Sequence, residues 1–366
     1  MHPLALNEQS RAEHAPTAMS FPTFPVSWYF FGPTAELRRG PVTRELFGQR
    51  LVAFRTARGR LAVLAAQCCH MGTDLGRGCV VGEAIRCPYH HWEFDPEGRC
   101  SRIPASAEIP AFARQRSFPV TERHGNLFVF NARAPLFPLP FYPGLMPDEL
   151  QCSQPVEVTL ECPWYMIGAN AFDLQHFRAS HDRELLGEPT IDCPTKFSRR
   201  ASARFTVAGH SLQDRLTRLL AGNEVALSIT DYCGNMMFAT ATFRRARSYG
   251  LVVTQPLADG RVRVRVLVMK RRSRSFLGRL FYDRLSLAVR RIFFRNFLSA
   301  DAERLVGVRY NPARLIAADQ NLAEYFEWLA GVSRGAPVAT PFADDFSGEA
   351  ECSMPVVGGE VAQSIK

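Results

Sequence analysis

With 366 residues, 46% of them hydrophobic, the chain is long enough to bury a large core and to form two domains. Its formal charge of +9 implies an anionic partner, but nothing in it resembles a helix-turn-helix, a zinc finger or an aromatic RNA platform, so nucleic acid is not expected. No apolar run reaches the roughly eighteen residues of a membrane span, and the ten cysteines are scattered rather than framed, so reduced thiols in a cytoplasmic protein are expected.

Residues 1–24 read as a disordered leader, being polar and ending in the Pro-containing stretch that starts at Ser20. From 25 to 133, short apolar runs alternate with turn residues (LVAF at 51–54, LAVLAA at 61–66, EAIRC at 83–87, NLFVF at 126–130), which predicts a small all-β domain. Residues 134–150 hold five prolines, which exclude both ladder pairing and helix interior, and read as a linker. The second domain, 151–335, mixes both element types, so the chain is α+β. It has a helical stretch around 163–182, strand-like alternation in SARFTV, EVALSITDY and MMFATATF, and a hairpin from Leu251–Leu257 through Ala258-Asp259-Gly260 into Val262, Val264, Val266 and Val268. Helical segments are expected at 276–306 and about 313–331, and a flexible tail over 336–366.

The all-β half contains Cys68-Cys69-His70, then sixteen residues, then Cys87-Pro88-Tyr89-His90. Each half-site offers one thiolate and one imidazole. Zinc could use four such ligands, but zinc fingers usually pair Cys with Cys and His with His within a half. A mixed pair suits a [2Fe–2S] cluster in which one iron takes both thiolates and the other both imidazoles, because each loop then delivers one ligand to each iron. Replacing thiolates by neutral imidazoles removes negative charge and raises the potential. The glycines at 72, 76 and 78, with Pro88, suit tight loops.

The stretch CCHMGTDLGRGCVVGEAIRCPYHHWEFDPEGRC resembles the Rieske motif of the ring-hydroxylating oxygenase family. That resemblance implies an N-terminal Rieske domain bound through Cys68, His70, Cys87 and His90. The family usually has a small residue where this chain has His91, which we read as packing or hydrogen-bonding beside the cluster, with Trp92 as a lid on it.

The second half contains Asn170, Asp173, His176 and His181 within twelve residues. Two histidines and one carboxylate on one face of iron(II) leave positions open for O₂ and substrate. Asp173 is the nearest carboxylate and shares a helix face with His176, whereas His176 to His181 is i, i+5, so a bulge or break must bring His181 back. The family motif Asn-x2-Asp-x2-His-x4-His matches these four positions. It implies that the histidines bind iron, that Asn170 and Asp173 are catalytic, with Asp173 bridging an iron ligand to a cluster histidine of a neighbouring subunit, and that the carboxylate ligand comes from a later helix. Asp301 is the expected ligand, with Glu303 two residues on, or Asp173 itself, as alternatives.

The resemblance further implies an O₂-dependent monooxygenase or dioxygenase. No Gly-x-Gly-x-x-Gly follows any strand, so electrons from NAD(P)H would arrive through a separate ferredoxin or flavin reductase. A homotrimer and a small hydrophobic or aromatic substrate are implied. Within the family, SWYF, ELFGQRLVAFR, CPYHHWEFD, the run Asp173–His176 and the Asp301–Gly307 spacing are most similar to an N-oxygenating member, over most of residues 26 to 330. The rival class is a Rieske electron carrier without oxygenase activity. Finally, 270–297 is basic and amphipathic, with Leu277, Phe281, Leu285, Ala288 and Ile292 along one side. That side is expected to pack in the core, with peripheral membrane contact as the rival.

Overall fold

The fold is described from a computed structural model, which covers Thr17 and residues 20–335. The expected tail at 336–366 and most of the expected leader lie outside the described residues.

The first domain is all-β. Its strands are β1 (Trp28–Pro33), β2 (Val42–Leu46), β3 (Gln49–Arg55), β4 (Leu61–Ala65), β5 (Cys79–Val81), β6 (Ala84–Arg86), β7 (Glu93–Phe94), β8 (Cys100–Arg102), β9 (Ser117–Phe118), β10 (Val120–Arg123) and β11 (Asn126–Phe130). They form three antiparallel sheets, ordered β1-β11-β10, β2-β3-β4-β9 and β5-β6-β7-β8. Val52, Phe54 and Leu64 from the second sheet bury against Ile85 and Phe94 from the third. That core anchors the two loops that carry the Cys and His half-sites.

The second domain is built on β12 (Leu150–Cys152), β13 (Val156–Leu160), β14 (Arg183–Thr195), β15 (Ser198–Val207), β16 (Glu224–Tyr232), β17 (Met236–Phe243), β18 (Arg247–Pro256) and β19 (Val262–Arg271). These make one antiparallel sheet, β12-β19-β18-β17-β16-β15-β14, with β13 also pairing β19. Its helices are α1 (Tyr165–Ala169), α2 (Leu174–His181), α3 (Leu212–Leu220), α4 (Asp283–Arg304) and α5 (Gln320–Gly335).

Period-two alternation decides what covers each face of the sheet. Val262, Val264, Val266 and Val268 of β19 pack with Trp164, Tyr325, Phe326 and Leu329 on the helical side. Leu267 and Met269 face the other way, onto Trp28, Phe30 and Phe130 of the first domain and Leu139 and Tyr142 of the connecting segment. The two domains therefore share a core, and β19 is buried on both sides over most of its length.

Several expectations need correction. The leader does not run disordered to residue 24: Phe21 lies 4.6 Å from the Tyr165 ring and Trp164 donates to the Pro22 carbonyl, so apolar burial holds this part of the segment against the second domain. The proline-rich linker ends before Leu150, which pairs with Arg271 as the first residue of β12. The helix expected around 163–182 is two helices, because Asp173 is extended (φ −89°, ψ 95°) and caps α2. The last helix starts at Gln320 rather than 313, since Asn311 and Pro312 make a separate 3-10 turn and Ile316 is extended. Four elements of the second domain were not anticipated, β12, β13, β14 and α3, and two of them are instructive. β14 is a largely exposed edge strand interrupted by Gly187 at φ 73° and carrying Pro189, which hides its alternation. α3 is short but carries a readable signal, Ser211 accepting from the Asp214 N–H.

The largest correction concerns 276–306. A π-helical turn at Gly278–Tyr282 leads into α4, whose inward face is Asp283, Ser286, Leu287 and Arg290. Asp283 pairs with Lys270, and Arg290 donates to Ser248, so polar groups are satisfied against the sheet. The stripe expected in the core faces solvent instead: Leu277 is 66% exposed, Phe281 66%, Leu285 67% and Ile292 52%, and Ala288 is exposed with them.

Candidate metal centres

The first centre lies at the tips of two loops. Residues 66–75 fold back through Cys68 N–H to the Thr73 carbonyl, Gly72 N–H to the Cys68 carbonyl and Leu75 N–H to the Ala66 carbonyl. Residues 87–92 close through Cys87 N–H to the Trp92 carbonyl and His91 N–H to the Cys87 carbonyl. Gly72 sits at φ 75°, and a Cβ on Gly78 would lie 2.0 Å from the Arg86 carbonyl oxygen, so the glycines serve both a turn and a close approach. His91 has φ 60°, in the left-handed region that glycine adopts without a Cβ penalty. Its side chain is exposed.

Cys68 and Cys87 are buried in the same core cluster, while His70 and His90 are exposed, with ring centroids 4.6 Å apart. Trp92 stacks on His70 at 4.4 Å and 5°, and Tyr89 lies over His90 at 3.9 Å. The arrangement is two-tiered, with thiols beneath and imidazoles at the surface, and each loop gives one of each. Burial raises the Cys87 thiol pKa, so loading a metal must displace its proton.

The second centre is assembled by α2 and the end of α4. Asp173 uses Oδ1 to accept the His176 N–H at 3.0 Å, which starts α2 and commits that oxygen to the cap. At the other end the Asp182 N–H bonds the Phe177 carbonyl, five residues back, and Asp182 is left-handed at φ 50°. This π-type closure is the distortion that an i, i+5 pair requires. His176 Nε2 and His181 Nε2 consequently meet at 3.1 Å.

Asp301 Oδ1 lies 3.1 Å from His176 Nε2 and 2.9 Å from His181 Nε2. With ligand bonds of about 2.1 Å, donors at right angles lie about 3.0 Å apart and tetrahedral donors about 3.4 Å apart. The three observed separations match the right-angled set, so the residues fit one face of a six-coordinate ion. Burial disfavours the charged form of His181 and keeps it neutral. Burial also opposes ionisation of Asp301, but hydrogen bonds from both imidazoles outweigh it and hold the carboxyl below its usual range. Both groups are thus in the protonation states a metal needs.

Three supporting residues were not anticipated. Ser180 Oγ lies 3.2 Å from His176 Nδ1 and orients that ring, a partner legible as the i, i+4 neighbour of His176. Arg183 donates to the His181 carbonyl and pairs with Asp214 at 2.9 Å, which fixes the end of α2. Phe297 stacks on His181 at 3.6 Å and 11°. Glu303 is exposed and Asp173 is a cap, so neither joins the triad; Asn170 is half-buried at the end of α1.

Residues 27–113 match the Rieske [2Fe-2S] domain, and the chain carries the fold of the Rieske oxygenase alpha subunits. The chain is 40% identical over 116 residues to the oxygenase component of 3-ketosteroid-9-alpha-monooxygenase from Rhodococcus rhodochrous, covering 31% of this chain and 30% of that protein. It is 37% identical over 122 residues to aminopyrrolnitrin oxygenase of Pseudomonas fluorescens, covering 31% and 34%, a shorter span than the 26 to 330 expected from its motifs. The chain therefore spans about a third of the length of the curated relatives it matches. In three dimensions, dicamba monooxygenase bound to dicamba superposes with a TM-score of 0.59 at 18% identity over 86% of this chain and 98% of that one.

Proposed function

We propose that this protein is the terminal oxygenase component of a multicomponent Rieske system. The observation that carries the reading is the convergence of His176, His181 and Asp301 donors at 2.9–3.1 Å in the second domain of a Rieske chain. An electron carrier has no use for it. In this reading Cys68, His70, Cys87 and His90 hold the [2Fe–2S] cluster, and His176, His181 and Asp301 hold mononuclear iron(II). When bound, the cluster supplies single electrons and the iron supplies dioxygen activation.

The chain's own residues position and insulate these groups. Ser180 and Phe297 fix the two imidazoles, and Arg183 keeps α2 from unwinding where His181 ends it. Asp173 caps α2 through Oδ1, which leaves Oδ2 for a cluster-ligand histidine of a neighbouring subunit in a homotrimer. Asn170 stands one turn before it. Electrons come from NAD(P)H through a separate ferredoxin or flavin reductase in a reducing, cytoplasmic setting. The substrate class is a small hydrophobic or aromatic metabolite. The relatives' names, 3-ketosteroid and aminopyrrolnitrin, mark two compounds to try first, with hydroxylation and N-oxygenation as the outcomes to look for.

Metal analysis tests this directly. About three irons and two sulfides per chain are expected, against two irons for a carrier. A preparation that binds two irons and no more, at any iron(II) supply, ends the oxygenase reading. A substrate panel under a surrogate reductase then selects among hydroxylation and N-oxygenation.

A further inference from the structure

The outward surface of α3 and α4 is apolar at its centre and basic at its edge. On α3, Leu212 is 74% exposed, Leu219 69% and Leu220 65%. Gln213 of α3 meets Asn296 of α4, so the two helices are neighbours. Phe281, Leu285, Ala288 and Ile292 follow one another at i, i+4, i+7 and i+11, which aligns them on one side of a helix. Arg284, Arg291 and Arg295, spaced i, i+7 and i+11, form a parallel row beside that stripe, and all three are exposed.

Charge on this surface is of one sign. The acidic residues of α3 and the first half of α4, Asp214 and Asp283, are buried and paired with Arg183 and Lys270. Among the described residues no ion pair involves Arg274, Arg279, Arg284, Arg291 or Arg295. A soluble monomer rarely leaves a contiguous patch of this kind in water. No helix among the described residues is long and apolar enough to cross a membrane.

We propose that α3 and the 276–292 stretch dock the protein on an anionic lipid surface, lying in the interface rather than spanning it. The apolar stripe enters the acyl boundary and the arginine row meets headgroup phosphates. The same helix carries Asp301 in its last turn, about 14 Å along its axis from Ile292 at 1.5 Å per residue. Resting on the oxygenase reading above, this sets the docking face beside the site, suited to a substrate that partitions into membranes.

Flotation of the iron-loaded protein with vesicles is the test. Phosphatidylserine-containing vesicles should carry it upward at low salt, with pure phosphatidylcholine and about 0.5 M salt each weakening the association. Leu285→Glu/Ile292→Glu should reduce binding at least tenfold, and Arg284→Glu/Arg291→Glu by about fivefold or more per arginine. Iron content should be unchanged in both variants, which separates this result from any failure of the oxygenase reading. No flotation of the wild type, or flotation that survives Leu285→Glu/Ile292→Glu, overturns the proposal. So does a wild-type oligomer that ignores lipid and falls to monomers in that variant, since the patch would then be a contact between copies of the chain.

Discussion

The two candidate metal centres solve the same problem, holding four and three donors in fixed geometry, by opposite means. The first takes its ligands from two loops of one small domain, 68–70 and 87–90, closed by backbone hydrogen bonds within each loop. The second takes two from α2 and one from α4, 120 residues later, and is brought together by packing against the sheet. A centre built from nearby loops depends on its own domain. A centre built across a fold depends on every contact that fixes one helix against another, so damage to the second domain should reach iron before it reaches the cluster.

The largest expected effect is the removal of a long-range ligand. Asp301→Ala should lower mononuclear iron affinity by more than the roughly 10–100-fold that loss of an outer partner costs, and abolish substrate oxidation. The visible spectrum of the cluster should be unchanged; loss of both signals together would erase the independence argued above. Next is core damage. Phe172 is 1% exposed and stacks on Tyr325 at 4.6 Å, so Phe172→Ala should cost about 3–5 kcal/mol in denaturant unfolding. Iron should leave at lower denaturant than the cluster bleaches, and simultaneous loss would contradict the comparison.

A smaller effect tests orientation alone. Ser180→Ala should weaken iron binding about 10–100-fold with unchanged thermal stability, measured by competition with a chelator. The last is an effect of pH on folding stability rather than on metal binding. Complete burial pushes the Asp231 pKa up to about 7, while Tyr325 donates to it at 2.8 Å. An acid with a raised folded-state pKa binds more protons folded than unfolded, so its contribution is fully present below about pH 4 and is lost as pH rises through about 7. The slope is at most about 1.4 kcal/mol per pH unit. Asp231→Asn should remove that slope, and a stability profile identical to wild type over this window would refute it.

The same contrast explains what was legible in the sequence. The Cys-x-His half-sites and the Val262 to Val268 alternation are local patterns, and local patterns determine local structure. The choice of Asp301 over Glu303 needed a family pattern, because spacing cannot say where a residue 120 positions away will land. Arg183–Asp214 and Phe297–His181 were invisible for that reason. The stripe on α4 shows a different limit: periodicity reveals that apolar residues share a side but not whether that side meets protein. Here Asp283 and Arg290 turned inward because Lys270 and Ser248 were there to receive them.

Phe21 sits among Trp164, Tyr165, Tyr310 and Phe326, with Pro22 accepting from the Trp164 indole. By position it precedes the cluster domain, yet by contact it is a wedge under the floor of the other one. Trimming the chain past this point would therefore loosen the second domain while sparing the first, which it adjoins in sequence.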